Sequence, residues 1–317
     1  MKVDNFAISM FMSCPAKYAL RIREHWTSRR KSAALGFGGA LHEGLAAWYR
    51  THDRAAALLA INESWPVSVP IDDWRTKEKC LSTMVEYMRT YPDETFQVVG
   101  APESPLVEVT FSHDTGMVMP CACGWECTPP QVRTSDDEPH PQSLPFCPEC
   151  NAPTEPIEYG GIFDALVEAA GVVYVLEHKT TSQLGSYYFD QFKPNNQVTG
   201  YVWAAERLSG YRVGGAIVNA IGIYKASSTR FERQITSRSP ENIAEWLRNV
   251  YEVCKMIRTC ERIGHWPMFT PSCTMYGKCE YHDVHVVGTE KERLRLLEQD
   301  YVRDEWKYEE RPGVKDA

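Results

Sequence analysis

With 317 residues, 43% of them hydrophobic and 24% charged, the chain is long enough for one large α/β domain carrying an insertion, or for two smaller domains. It contains no run of about 18 apolar residues, which excludes a transmembrane helix. Its first residues lack the basic-then-apolar pattern of a secretory signal, so a cytoplasmic protein without membrane association is expected. The net charge of −8 argues against a nucleic-acid partner only until its distribution is considered. Residues 1–50 carry eight Lys or Arg against three Asp or Glu, with Arg21, Arg23, Arg29, Arg30 and Lys31 grouped ahead of the first long helical pattern. Residues 101–160 hold ten acidic residues and Arg133 as their one basic residue.

In chain order, the apolar periodicity predicts helices over 39–62 and 74–91, the first ending near Pro66 and the second at Pro92. Strands follow over 104–112, 159–169 and 172–180, and then a helix over 186–209 in which Pro194 marks an entry or a kink. Strands return over 213–224 and 229–236. A long helix starts after Ser239-Pro240, where serine caps and proline occupies the first turn. Residues 289–309 read as a charged amphipathic helix, a packed or solvated tail. No internal repeat is present. The fold class is therefore α/β.

The chemistry concentrates in the two consecutive apolar segments GGIFDALVEAA and GVVYVLEHKTT. Glu177 and Lys179 are two apart on a strand and face the same way. A tight turn at Ala170-Gly171 lays Asp164 beside them. Two carboxylates supply hard oxygen ligands for Mg²⁺ or Mn²⁺. The adjacent ammonium can orient water or steady negative charge in a transition state. Taken alone, the triplet is equally well a salt-bridged surface hairpin. His42 lies on an apolar helix with Leu41, Leu45 and Trp48. Gln197 and Tyr201 are four apart on one helical face. Glu108, alternating with Val107 and Val109, supports the site or faces solvent and is not counted as a ligand.

In that order these segments resemble the RecB-type nucleases of the PD-(D/E)XK superfamily, over most of residues 1–285 and with one insertion. The resemblance implies a restriction-endonuclease-like core, a central mixed sheet flanked by helices, with the insertion as a zinc-ribbon-like subdomain. Gly38 and His42 match the Gly-x-x-x-His helix, whose histidine is a metal ligand. Asp164 matches the motif-II aspartate, Glu177 and Lys179 the Glu-x-Lys motif, and Gln197 with Tyr201 the Gln-x-x-x-Tyr motif. The resemblance implies metal ligation by His42, Asp164, Glu177 and the carbonyl of His178, catalysis by Lys179 with Asp164 and Glu177, and DNA contacts from Gln197 and Tyr201. The expected activity is a divalent-metal-dependent DNA exonuclease in recombination, repair or end processing, with a helicase or recombination protein as partner. The competing expectations are a nucleic-acid-binding protein with a vestigial nuclease site and a subunit of a helicase–nuclease assembly.

Eleven cysteines in this context point to metal binding rather than to disulfides. Cys121, Cys123 and Cys127 are followed by Cys147 and Cys150 across the polar segment 129–142, an arrangement that resembles a zinc ribbon. Five candidates compete for four places. Cys123, Cys147 and Cys150 form the core of the set, with Cys121 or Cys127 completing it. A second, scattered set resembles the ligands of the iron–sulfur branch of the same nucleases. There Cys14, Cys273, Cys279 and His285 would hold a [4Fe–4S] cluster or zinc, or would be packing residues only. The match departs from the family where His285 stands for a cysteine and where a ligand position falls on Tyr276. The expected domains are a discontinuous nuclease core over 1–118 and 157–288, a ribbon insertion over 119–156 and the tail over 289–317.

Overall fold

The computed structural model describes residues 1–29, 32–66, 73–127, 142–275 and 277–310. Arg30, Lys31, Tyr276 and nearly all of the polar segment 129–142 lie outside the described residues. Strand β1 (Lys2–Asp4) leads into helix α1 (Asn5–Ser13), which Asp4 caps by accepting from the Ala7 amide at 2.7 Å. Pro15 opens the single turn α2 (Pro15–Tyr18), and β2 (Trp26–Ser28) follows. The helix expected over 39–62 is two helices, α3 (Ala33–Thr51) and α4 (Arg54–Ser64). His52 takes a left-handed φ of 50°, and Asp53 starts the second helix by accepting from the Ala55 amide at 2.8 Å.

Helix α5 (Lys77–Thr90) is capped by Thr76 and leads through the short strands β3 (Gln97–Val98), β4 (Gly100–Ala101) and β5 (Ser104–Pro105) to the long β6 (Val107–Val118). Strands β7 (Pro156–Ala169) and β8 (Val172–Thr181) form the hairpin read from the sequence. The helix expected over 186–209 is divided into a 3₁₀ turn at Tyr188–Phe192 and α6 (Asn196–Ser209). Pro194 has no N–H to continue a helix. Asn195 begins a new one, its side chain accepting from the Val198 amide at 3.0 Å. The chain continues through β9 (Val213–Gly222), β10 (Arg230–Ser237), α7 (Pro240–Ile263), α8 (His282–Val286), α9 (Glu290–Asp300) and β11 (Tyr301–Arg303). The charged helix expected to reach residue 309 therefore stops at Asp300. The residues beyond it pair as a strand instead, because Tyr301 and Trp306 carry apolar surface that a solvated helix would leave exposed.

The chain divides into two compact units, one comprising residues 1–30, 112–160 and 244–308, the other 31–111, 161–243 and 309–317. In the first unit, β1 pairs in parallel with Glu158–Gly160, and Trp246 of α7 meets Tyr159 edge-on at 4.8 Å. Tyr301 stacks on Tyr281 at 5.4 Å within a small core containing Leu20, Trp26, Val284 and Leu297, and β11 pairs antiparallel with β2. Trp306 rests on Phe6 with centroids 4.0 Å apart and donates to Asp4 at 2.6 Å. These contacts tie down the C-terminal segment.

In the second unit the strand order is β7-β8-β9-β10, with β8 and β9 parallel and the other neighbours antiparallel. Leu41, Leu45, Ile61 and Met84, from α3, α4 and α5, pack with Ala165, Val167, Leu176, Ile217 and Ile221 of the sheet. Each such side chain contributes about 1.5–3 kcal/mol by leaving water. The β8–β9 register shifts by one residue between Val173, opposite Val213, and Val175, opposite Ala216. Gly215 sits in the bulge with φ 145°, where a Cβ would come within 2.2 Å of the Thr236 carbonyl oxygen. The shift sets His178 opposite Asn219, and Asn219 is in turn opposite Arg233 of β10. Among the described residues, no helix is long and apolar enough to cross a membrane.

Candidate active site

Ala170 and Gly171 both take positive φ, 51° and 78°, in a two-residue turn that matches the twist of the strands it joins. The β7–β8 pairing runs from Ala169 opposite Val172 to Ala165 opposite Leu176 and stops there. One step further along the same register Asp164 stands across from Glu177. Because the ladder has ended, the His178 amide is free to donate to the Asp164 carboxylate, at 2.6 Å, instead of to a strand carbonyl. The aspartate is thus anchored by the peptide that joins the other two motif residues.

Helix α3 brings His42 to the same carboxylate, its Nδ1 3.3 Å from Asp164 Oδ1. Gly38, one turn earlier, lies where a Cβ would stand 3.2 Å from Thr180 Oγ1, so the helix approaches β8 closely. Lys179 donates to Glu177 Oε1 at 2.6 Å and to Gln197 Oε1 at 2.8 Å, and Gln197 Nε2 donates to the Tyr201 hydroxyl at 3.2 Å. Tyr201 is buried against Phe111 and Phe163, with centroids 5.8 and 6.3 Å away. Its hydroxyl meets the Lys179–Glu177 pair through Gln197.

Glu108 joins the site although its alternating pattern left it outside the expected ligand set. One ligand atom each from His42, Glu108 and Asp164 lie within 4.8 Å of one another. The alternation misleads because Glu108, the second residue of β6, has φ 53°. That conformation costs a glutamate about 1–3 kcal/mol. It also breaks the two-residue period that assigns side chains to faces.

The electrostatics are those of a charge-dense, partly dry cleft. Burial would push the Asp164 carboxyl up, but the charge and hydrogen bond of His42, with the His178 amide, outweigh it and hold the group well below the usual carboxylate range. Burial would likewise lower His42, yet Asp164, with Glu108 and Glu177, raises it to about 8. Burial raises the Glu177 carboxyl against the opposing pull of Lys179. Its Oε2 is buried and makes no hydrogen bond among the described residues. Burying a carboxylate oxygen unpartnered is expensive unless a cation offsets it. With two further carboxylates and an imidazole nearby, the donor set suits a hard divalent ion.

Behind the site, burial pushes His178 down to about 3, so its ring is neutral. The ring stacks on Tyr49 at 5.5 Å and meets His42 edge-on at 5.9 Å. Asn219 lies 2.7 Å from its Nδ1, with Tyr87, Arg233 and Glu94 bonded in turn beyond Asn219, and none of them was singled out from the sequence. One signal was available, a lone asparagine inside the apolar run AIVNAIG.

In the other unit, Cys121, Cys123, Cys147 and Cys150 form a second group whose sulfurs lie within 4.8 Å of one another. Cys121 and Cys150 are 3.4 Å apart, and Cys123 and Cys147 3.7 Å. Two tight turns present them. The Gly124 amide donates to the Cys121 carbonyl at 3.0 Å and the Asn151 amide to the Cys147 carbonyl at 2.9 Å. The fifth cysteine is thereby decided: Cys127 is engaged with the Val118 amide and carbonyl, at 3.4 and 3.3 Å. The amide of Cys123 and the thiol of Cys150 push the Cys121 thiol down to about 7, toward the thiolate that metals bind.

Cys14, Cys273, Cys279 and His285 form no such group among the described residues. The Cys14 sulfur accepts from the Phe269 amide at 3.5 Å, Cys273 ends a 3₁₀ turn, and Cys279 packs against the Tyr281 core. Hydrogen bonds bring the surrounding segments together, Ser272 donating to the Ser13 carbonyl at 2.6 Å and the Cys279 amide to the Cys273 carbonyl at 2.8 Å, and Tyr276 lies outside the described residues.

A family model described as the PD-(D/E)XK nuclease superfamily matches residues 7–284. No curated protein matches. Among solved structures, the chain is similar to the crystal structure of a candidate exonuclease from Eubacterium rectale, with a TM-score of 0.50 and 10% identity over 91% of this chain and 90% of that one. It is also matched to the structure of SSO0001, with a TM-score of 0.27 and 10% identity over 69% of this chain and 74% of that one.

Proposed function

The chain belongs to the PD-(D/E)XK nuclease superfamily, and on that premise we propose that it is a divalent-metal-dependent DNA exonuclease working in recombination, repair or DNA-end processing. The observation that carries this reading is the convergence of His42, Glu108 and Asp164, with ligand atoms within 4.8 Å of one another, beside a lysine held by Glu177 and Gln197. Those three residues, with Glu177 and the carbonyl of His178, would hold Mg²⁺ or Mn²⁺. When bound, the ion neutralises charge on the phosphoryl oxygens and acidifies a water molecule.

The chain's own residues do the remaining work. Two acceptors fix the Lys179 ammonium, which can give its third N–H to the attacking water or to a phosphoryl oxygen. Gln197 is half-buried at the mouth of this arrangement and contacts the DNA strand, while Tyr201 holds the Gln197 amide in place. Cys121, Cys123, Cys147 and Cys150 hold a structural Zn²⁺ in a ribbon over residues 119–156. A helicase or recombination protein is the partner class such an activity would work with.

The test is digestion of end-labelled linear DNA, with closed circular DNA as the control, in Mg²⁺ or Mn²⁺. Wild type is expected to shorten linear DNA from its ends and leave circles intact. Lys179→Ala should lose about 10²–10³ in kcat while keeping its fold by circular dichroism. Full activity in that variant overturns the role of Lys179, and cleavage of closed circles overturns the exonuclease assignment.

A further inference from the structure

A buried row of polar side chains crosses the sheet behind the metal-ligand strand. Register alone places His178, Asn219 and Arg233 side by side on β8, β9 and β10. Helices α3 and α5 add Tyr49 and Tyr87, and the loop after α5 adds Glu94.

The direction of each hydrogen bond follows from the two charges at the far end. Arg233 clamps Glu94 in bidentate fashion, at 2.5 and 3.0 Å. Arg233 Nε donates to Asn219 Oδ1 at 3.2 Å, which fixes which way the amide points. The amide NH₂ must then donate both ways, to the Tyr87 hydroxyl at 2.9 Å and to His178 Nδ1 at 2.7 Å. Tyr87 already accepts from Asn219 and from Arg233 Nη2, the latter at 2.8 Å, so its proton goes to Tyr49 at 2.6 Å. Tyr49 passes its own proton to Glu94 at 2.7 Å. Arg233 Nη2 also lies 3.2 Å from the Tyr49 hydroxyl, a shared donation that leaves the other directions unchanged. Because Nδ1 accepts, the His178 ring carries its proton on Nε2.

We propose that Arg233, Glu94, Tyr49, Tyr87 and Asn219 are positioning residues that lock the ring and tautomer of His178, and thereby hold the peptide whose N–H orients Asp164 for metal binding. The inference rests on the nuclease reading above and deepens it. The His178 side chain is gripped by Asn219 and Tyr49 on one side of the strand, while its backbone N–H is spent on Asp164. Loosening the ring frees the peptide, and with it the carboxylate. Buried groups that orient metal ligands in this indirect way typically change metal affinity or turnover by about 10–100-fold when they are altered.

Asn219→Asp tests the relay, since it keeps the shape of the amide but replaces the donor to Nδ1 by an acceptor. Tyr87→Phe keeps the ring and removes only the hydroxyl. For both variants and wild type, the measurements are folding by circular dichroism, Mn²⁺ affinity by titration calorimetry, kcat and KM on linear DNA, and the ¹⁵N imidazole spectrum. Wild type should show His178 protonated on Nε2 alone, and Asn219→Asp should lose that signature. In both folded variants Mn²⁺ affinity and kcat should fall by about 10–100-fold with KM for DNA unchanged. A wild-type His178 protonated on Nδ1 overturns the relay, whatever the activity. Unchanged Mn²⁺ affinity and kcat in the folded variants of an active wild type overturn it too. A wild type that neither binds Mn²⁺ nor cleaves overturns instead the nuclease reading on which the relay rests.

Discussion

The chain gathers ligands in two places by opposite means. Around Asp164 the donors are oxygens and an imidazole carried on long strands and a nineteen-residue helix that pack on the surrounding apolar core. Around Cys121 the donors are four sulfurs on two tight turns, with Cys147 the one buried member and the others half-buried or exposed. The contrast is physical: hard-ion chemistry needs a preorganised cleft whose charges already repel one another, so the fold must pay for it in advance. A structural thiolate site works the other way, its metal supplying the stability that the loops lack.

That comparison can be broken or sharpened by experiment. The largest effect should come from chelating the zinc proposed for the four cysteines, or from Cys147→Ser. Structural sites of this kind are worth about 10–16 kcal/mol of metal-binding free energy. Limited proteolysis should then open between residues 121 and 150, while Mn²⁺ affinity at the Asp164 site stays the same; a ribbon equally resistant to protease without zinc would show that the loops fold unaided. Next in size is Arg233→Met, which strands the Glu94 carboxylate, a group with 9% of its side-chain surface exposed. Leaving such a charge unpaired costs about 3–5 kcal/mol, measured by urea denaturation. A loss below about 1 kcal/mol would mean that Glu94 finds water instead. Smallest is Gly215→Ala. It should lower stability by about 1–3 kcal/mol through strain at φ 145°. It should also lower Mn²⁺ affinity, because the bulge sets the register that pairs His178 with Asn219; loss of stability with unchanged Mn²⁺ affinity would separate the bulge from the site.

Much of the sheet-held site was legible. Glu177 and Lys179 follow the two-residue strand period, Ala170-Gly171 marks the turn, and Asp164 falls opposite Glu177 by counting back from it. These are local rules, and they act over a few residues. Glu108 escaped because a positive φ breaks the period that local reading depends on. The relay escaped for a different reason. Its members stand at 49, 87, 94, 219 and 233, and only a register set by one extra residue in β9 makes neighbours of them. Helix limits failed where a single backbone event intervened, at His52 and after Asp300.

By itself the sequence determined the α/β class, the hairpin that sets Asp164 beside Glu177 and the grouping of cysteines in the insertion, because strand alternation, turn preference and residue spacing are properties of short segments. Only the tertiary structure decided which four of the five inserted cysteines converge, that Tyr201 is buried in the core, and that Glu108 comes together with His42 and Asp164. Convergence of distant side chains is fixed by packing and strand register, and neither is written in any one segment of the chain.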